Sequence, residues 1–374
     1  MSSVSNKKLL DLKGQLATKF GEDAVMMASD IPIRPPVSSG SLALDFACGV
    51  GGFPSDRVIE IAGAEGTGKT TLALLTLKNF LDADKTRGAL ILDTEHKLES
   101  AWVEQLIGTE RMARVILAWP NSAEEATNVY VKAVSSGQIS IVIFDSIGGS
   151  PTVRRNEDAT VAGFGGNSLA ITEFARAAAG HSQRYHCLTI GINQVRADMS
   201  GYNRHMVPGG RGWLHACALR IQLKKVKGTV SEKLAGEEVQ VGYQVVAKVV
   251  KSGISAPGRT AWYWFHNVPT AKYGFGVDTL DEIIRLSILT GVIERKGAWY
   301  NHPMLPGGKI MSQDRLTDHI RGEENLRALL SREIMEKLQT GQFNSEVAPV
   351  SDPDAPIDES IADRWTRLEE GTSD

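Results

Sequence analysis

Cysteine is scarce in this chain of 374 residues: Cys48, Cys187 and Cys217 are its only three. Their number is odd and their spacing fits no metal-ligand pattern. That excludes a disulfide-stapled scaffold and a cysteine zinc site, and it predicts reduced thiols in a cytoplasmic protein. Long apolar runs are missing as well. No stretch is long enough to span a bilayer, and Met1 to Leu12 is polar, without the apolar core of a secretory leader. Net charge is nearly absent, with 41 Lys and Arg against 44 Asp and Glu. A surface that coats nucleic acid uniformly is therefore not expected, although a local basic groove is compatible. What remains has the composition of an ordinary soluble globular protein, large enough for one large domain and a smaller one.

Glycine, by contrast, is concentrated where it matters. The stretch Gly63-Ala64-Glu65-Gly66-Thr67-Gly68-Lys69-Thr70-Thr71 follows Arg57 to Ala62, an apolar β-branched run that predicts a buried strand. It precedes Leu72 to Leu77, which predicts a buried helix. Strand, glycine-rich turn and helix form the context of a Walker A phosphate loop. Glycines let successive backbone N–H groups curl round a polyphosphate at a positive helix end. Lys69 is expected to reach the β- and γ-phosphates and Thr70 to place its hydroxyl on Mg²⁺.

The rest of the chain supplies a frame for this loop. Lys7 to Phe20 is amphipathic, with Leu9, Leu10, Leu12, Leu16 and Phe20 on one face, and a proline-bearing linker follows. From Ser38 to about Trp264 strands alternate with helices: Ala89–Asp93, Val115–Ala118, Ile139–Asp145 and Cys187–Gln194 as strands, Ala123–Ser135 and Leu169–Ala179 as helices. This rhythm predicts an α/β fold with a mostly parallel central sheet, whose ligands gather at the carboxyl ends of the strands. Cys217–Leu223 and Tyr243–Val250 are expected as a hairpin joined by a polar loop from Lys227 to Gln240. Beyond Phe275, a helix over Asp278–Thr290, a short strand at Ala298–Tyr300 and a charged helix over Glu323–Leu338 form a small α/β domain. The expected division is 1–37 for the N-terminal helix and linker, 38–266 for the core, 267–344 for the small domain and 345–374 for a tail. In that tail nine carboxylates face only Arg364 and Arg367, with Pro349, Pro353 and Pro356 interrupting, the composition of a disordered acidic segment.

Asp145, followed by Ser146 at the end of an apolar strand, has the Walker B pattern of a Mg²⁺-binding acid. Glu95 ends the neighbouring strand, where a carboxylate can orient or deprotonate an attacking water; a surface acid after a strand is the alternative. Gln194 ends a third strand and carries both an acceptor and a donor. Two glycine-rich segments, Ser150–Gly166 and Arg196–Gly212, start directly after these strands. Their mixture of arginines with Phe164, Met199 and Tyr202 suits a single-strand nucleic-acid groove, with an active-site lid as the competing reading.

At this point the chain resembles the RecA-type recombinases, the bacterial RecA and phage UvsX group, over about Lys7 to Thr340. The resemblance rests on Ser38–Asp45, Gly63–Thr71, Leu92–His96, Val142–Ser146, Ile192–Arg196 and Gly297–Tyr300. It implies an ATP- and Mg²⁺-dependent helical filament on single-stranded DNA that pairs it with homologous duplex and exchanges strands. It implies a nucleotide site of Gly63, Glu65, Gly66, Thr67, Gly68, Lys69, Thr70, Thr71 and Asp145, with Trp102 stacked on adenine beside Glu99. Glu95 becomes the catalytic base and Gln194 the coupling residue. Arg154, Arg155, Phe164, Arg176, Arg196, Met199, Arg204, Gly209, Gly210 and Arg211 become the DNA-binding residues. The N-terminal helix is expected on the next subunit, and Arg295, Lys296 and Lys309 on duplex DNA. Two departures stand out. Lys251 matches the first of a lysine pair that reaches the neighbour's ATP, but the second position is Gly253; and Leu214-His215 replaces Lys-Phe. The alternatives are a hexameric helicase motor, against which the N-terminal helix and the small C-terminal domain speak, and a nucleotide-gated DNA filament with little turnover.

Overall fold

The computed structural model describes residues 2–21, 25–31, 34–151, 166–195 and 209–341. The chain divides into two units, Met1–Pro35 and Pro36–Asp374. In the first, helix α1 spans Ser2–Phe20. Leu9, Leu10, Leu12, Leu16 and Phe20 stay exposed along it. Solitary exposed leucines are ordinary, but a row of them on one helix is a face without a partner.

The second unit is built on a nine-stranded sheet in the order β3-β2-β4-β5-β1-β6-β7-β8-β9. Six strands are parallel: β1 (Val58–Gly63), β2 (Gly88–Asp93), β3 (Val115–Ala118), β4 (Ile139–Asp145), β5 (Leu188–Gln194) and the first part of β6 (Leu219–Leu234). Then β7 (Glu237–Ser252), β8 (Thr260–His266) and β9 (Gly276–Val277) continue it antiparallel. Strand side chains alternate between faces, and both faces are apolar, as covered parallel strands require. Ala89 and Ile91 join the cluster under helices α2 (Leu42–Ala47), α3 (Lys69–Ala83) and α4 (Ser100–Ile107). Leu90 and Leu92 join the cluster under α6 (Ala123–Ser135) and α7 (Gly166–Tyr185). A four-residue α5 (Thr109–Met112) leads into β3. The α6 start is fixed by Ser122, whose hydroxyl accepts from the Glu125 amide at 3.1 Å, with Glu124 and Glu125 against the positive helix end.

The hairpin departs from expectation. The polar stretch 227–240 is not a loop: β6 and β7 run through it, and the turn is Ala235-Gly236 alone, both in the left-handed region at φ 52° and 92°. Two consecutive positive φ values are what a tight two-residue hairpin turn needs. The strands here continue beyond the covered part of the sheet, so their side chains are polar without ceasing to be strand.

After a short helix α8 (Gly210–Ala216), which takes over the last residues of the segment expected as loop to Gly212, the chain passes into β6. The C-terminal part holds α9 (Thr279–Leu289), α10 (Gln313–Gly322), α11 (Glu324–Gln339) and a three-stranded antiparallel sheet of β10 (Glu294–Lys296), β11 (Trp299–Asn301) and β12 (Lys309–Met311). We propose that 267–344 is a small domain of its own beside a 38–266 core. The acidic tail lies outside the described residues.

Candidate active site

Strands β1, β4 and β5 are adjacent, and a cleft of about 300 Å³ opens at their carboxyl ends, lined by Gly66, Lys69, Thr70, Glu95, Asp145 and Gln194 among others. The loop from β1 to α3 forms its floor. Gly66 and Gly68 are left-handed, at φ 73° and 82°. A side chain at Gly68 would also strike the Phe265 ring, 2.7 Å from the added carbon. Gly68 caps α3 without a side-chain acceptor, which leaves the first N–H groups of a 15-residue helix for a ligand. The loop is braced from the far side of the sheet. Tyr243 on β7 donates its hydroxyl to the Gly66 carbonyl at 2.8 Å and stacks on Phe265 at 5.3 Å.

Of the charged groups in the cleft Lys69 is buried, Asp145 and Glu95 are half-buried and Lys97 is exposed, and each has a hydrogen-bond partner. Lys69 donates to the Ala64 carbonyl at 2.7 Å; burial pulls its pKa down, against the attraction of Asp145, Glu65 and Glu95. Thr70 Oγ1 donates to Asp145 Oδ2 at 2.8 Å. Burial pushes the Asp145 carboxyl up to about 6, opposed by that hydrogen bond and reinforced by the charges of Glu95 and Asp93. Burial also acts to raise Glu95, but hydrogen bonds from Lys97 and Ser146 outweigh it and hold the carboxyl below its usual range. The Lys97 ammonium is 2.7 Å from Glu95 Oε2, and the Ser146 hydroxyl donates to Oε1. Asp93 shapes the turn that carries Glu95 by accepting from the amides of Glu95 and Leu98, each at 3.1 Å.

A magnesium polyphosphate fits this donor set. An uncapped helix start and a buried lysine offer positive charge to phosphate oxygens. A hydroxyl and a buried acid already in contact offer hard oxygen ligands for a divalent cation, whose charge would return Asp145 to its ionised form.

The structure brings Glu65, Gly66, Gly68, Lys69, Thr70, Thr71, Glu95, Trp102, Asp145 and Gln194 into one cleft. Gly63 and Thr67 lie beneath the loop, with Thr67 Oγ1 donating to the Ala64 carbonyl at 2.9 Å. Trp102 meets Phe275 edge-on at 6.4 Å. Glu99 is exposed at the start of α4, outside the cleft lining. Lys251 is also elsewhere: its ammonium donates to the carbonyls of Leu214 and His215, at 2.6 and 3.2 Å, closing the end of α8. Arg211 is exposed on the first turn of α8, with Gly209 as cap and Gly210 as first residue, and Arg176 is exposed on α7. Arg154, Arg155, Phe164, Arg196, Met199 and Arg204 lie outside the described residues. Sequence reasoning missed Tyr243, Lys97, Ser146 and Asp93 as parts of the site. Asp93 and Lys97 flank Glu95 and could have been found by proximity; Tyr243 is placed by hairpin register alone.

A family model described as the RecA N-terminal domain matches residues 7–265. Protein RecA of Pseudomonas fluorescens (strain SBW25) is 29% identical over 370 residues, covering 97% of this chain and 100% of its own length. The crystal structure of the RadB recombinase is 21% identical and covers 62% of this chain and 96% of its own, with a TM-score of 0.47.

Proposed function

The chain belongs to the RecA family, and from that premise we propose that it is a DNA-dependent ATPase that assembles as a helical filament on single-stranded DNA and drives homologous pairing and strand exchange. The observation that carries this reading is the position of Glu95. Its carboxylate is held ionised by Lys97 and Ser146 in the same cleft as Lys69, Thr70 and Asp145. Lys69 neutralises the β- and γ-phosphates, and the loop amides cradle them. Thr70 and Asp145 would hold Mg²⁺, which would supply neutralisation of the charge that builds on the leaving oxygens. Glu95 orients water for in-line attack and accepts its proton. Trp102 stacks on the base, with Glu99 toward its amino group. Gln194 reads the γ-phosphate and passes the reading into the segment that follows.

DNA lies on the two segments that start after β4 and β5, with Arg154, Arg155, Arg196, Arg204 and Arg211, joined by Arg176 of α7, on phosphates, Phe164 and Met199 as wedges between bases, and Gly209 and Gly210 allowing close approach. The exposed apolar row of α1 docks on a second copy; edge strand β3, with Ile116 and the nearby Trp119 exposed, offers a receiving edge. Among the described residues no helix is long and apolar enough to cross a membrane. We place the protein in the cytoplasm.

Electron microscopy on single-stranded DNA with ATP or a slowly hydrolysed analogue tests the assembly. Open, extended filaments are expected; closed rings would overturn it in favour of a helicase-type motor. A filament with little turnover is the second reading. It is favoured by the engagement of Lys251 with α8 together with Gly253, and an ATPase rate that single-stranded DNA fails to stimulate would establish it.

A further inference from the structure

Glu60 sits in the middle of β1, three residues before the phosphate loop, and is fully buried. Taking a carboxylate out of water is costly, and apolar packing at such a place is often as good or better for stability. Here the carboxylate collects donors from three separate elements. Oε1 accepts from Asn193 Nδ2 of β5 at 3.0 Å and from the indole Nε1 of Trp213 in α8 at 2.8 Å. Oε2 accepts from Arg220 Nε of β6 at 2.6 Å. The sheet is cut to admit this arrangement. Gly191 pairs with Glu60 across β1 and β5, and a Cβ there would fall 2.1 Å from the Trp213 ring.

The positions of the donors give the arrangement its meaning. Asn193 directly precedes Gln194, at the cleft end of β5. Trp213 lies two residues after the exposed Arg211, on a helix whose far end is fixed by Lys251. One oxygen atom therefore holds both the strand that reaches the cleft and the helix that carries Arg211. Charge-assisted hydrogen bonds in a dry interior are short and strongly directional, so a displacement of Asn193 is felt by Trp213 through the shared acceptor.

We propose that Glu60 is a positioning residue, the buried joint through which the end of β5 and helix α8 move as one body, so that nucleotide at the cleft sets the DNA affinity of α8. This rests on the reading of Gln194 and Arg211 given above. Trp213→Phe removes the indole donor and keeps an aromatic ring. Glu60→Gln replaces one acceptor oxygen by a donor. Phe174→Leu disturbs the packing around Trp213, whose ring is 6.2 Å from Phe174, without touching the hydrogen bonds of Glu60.

The experiment measures the affinity of each full-length variant for a fluorescent oligothymidylate, with and without a non-hydrolysed ATP analogue, and the affinity for the analogue with and without DNA. In the wild type the analogue strengthens DNA binding. In Trp213→Phe that enhancement falls by on the order of tenfold, the scale of one hydrogen bond to a charged acceptor, while analogue affinity without DNA stays within about twofold. The reciprocal enhancement, of analogue by DNA, falls by the same factor. Glu60→Gln shows at least the same loss, and Phe174→Leu keeps the enhancement whatever it costs in thermal stability. Full enhancement in Trp213→Phe, or an equal loss in Phe174→Leu, would overturn the joint. Absence of any enhancement in the wild type would overturn the underlying reading, and the joint with it. Should Glu60→Gln fail to fold, the Trp213 and Phe174 variants decide alone.

Discussion

Two of the places in the second unit where acidic side chains are withdrawn from water treat them in opposite ways. At the cleft, Asp145 receives one hydroxyl from Thr70, and Glu95 is held by Ser146 and Lys97. At the junction of α2 and α9, Glu282 accepts from Ser41 Oγ at 2.6 Å, the Leu42 amide at 3.0 Å and the Ala43 amide at 3.4 Å. Nearby, Asp45 accepts from the amide and hydroxyl of Ser39 at 2.7 and 2.6 Å. The junction acids are tied to backbone N–H groups and serine hydroxyls at and just before the start of α2, a partner set that no ligand displaces. The cleft acids are tied to side chains that are themselves candidates to bind ligand. Burial alone does not mark a functional acid. What marks it is a partner that can leave.

The largest expected effect tests the cleft half of that contrast. Glu95→Gln keeps the shape and the hydrogen bond to Ser146 but removes the base. ATP turnover should fall by about 10²–10⁴, the range of a lost general base, while nucleotide-dependent DNA binding persists. Lys69→Ala should lose nucleotide binding itself. Turnover by Glu95→Gln near the wild-type rate, measured by phosphate release with single-stranded DNA present, would remove Glu95 from the mechanism.

That half was largely legible in the sequence because its information is local. The glycine spacing from Gly63 to Lys69 and the apolar runs ending in Asp93 and Asp145 each sit within a dozen residues. The parallel sheet followed from the same alternation. Information carried by register was not legible. Tyr243 reaches Gly66 from 177 positions away, and only the pairing of β7 beside β6 brings it there. Polar residues from 227 to 240 read as loop because strand prediction expects a covered face, and this hairpin runs past the cover. Gly209 and Gly210 read as loop because glycine disfavours helix, yet Gly209 caps α8 and the buried Trp213 anchors it.

The next effect tests the junction half. Glu282→Ala leaves the Ser41 hydroxyl and two amides of α2 without their acceptor. Stability should fall by about 2–4 kcal/mol, in the range of a broken buried network, with nucleotide affinity unchanged within about twofold. Denaturant unfolding alongside nucleotide titration checks both. A loss of affinity in a variant of unchanged stability would show that the junction is not merely structural, and the contrast would fail.

The smallest effect is the one most specific to the comparison. Because burial raises Asp145 to about 6, the folded protein holds a proton there more tightly than the unfolded chain, whose carboxyl keeps the ordinary 3.8. The native state thus binds more protons between those values, and stability falls as pH rises from about 4 through 6. Above pH 6 the ionised acid is present at full cost. Asp145→Asn retains an oxygen for Thr70 and removes the charge, so without Mg²⁺ the variant should be the more stable protein at pH 7.5, by about 1–3 kcal/mol. That corresponds to roughly 1–4 °C in Tm for a chain of this size. The gap should close as pH is lowered from 6 to 4, because the wild-type acid becomes protonated and the two side chains become alike in charge. Taking the difference between the two proteins at each pH cancels the titration of Asp45 and Glu282, which is common to both. Mg²⁺ and nucleotide should reverse the sign at pH 7.5, since the ionised wild-type acid then has the partner that its burial lacks. A wild type that is more stable than Asp145→Asn at pH 7.5 without Mg²⁺ would mean that Thr70 and Lys69 already satisfy this acid, and the cleft would then resemble the junction.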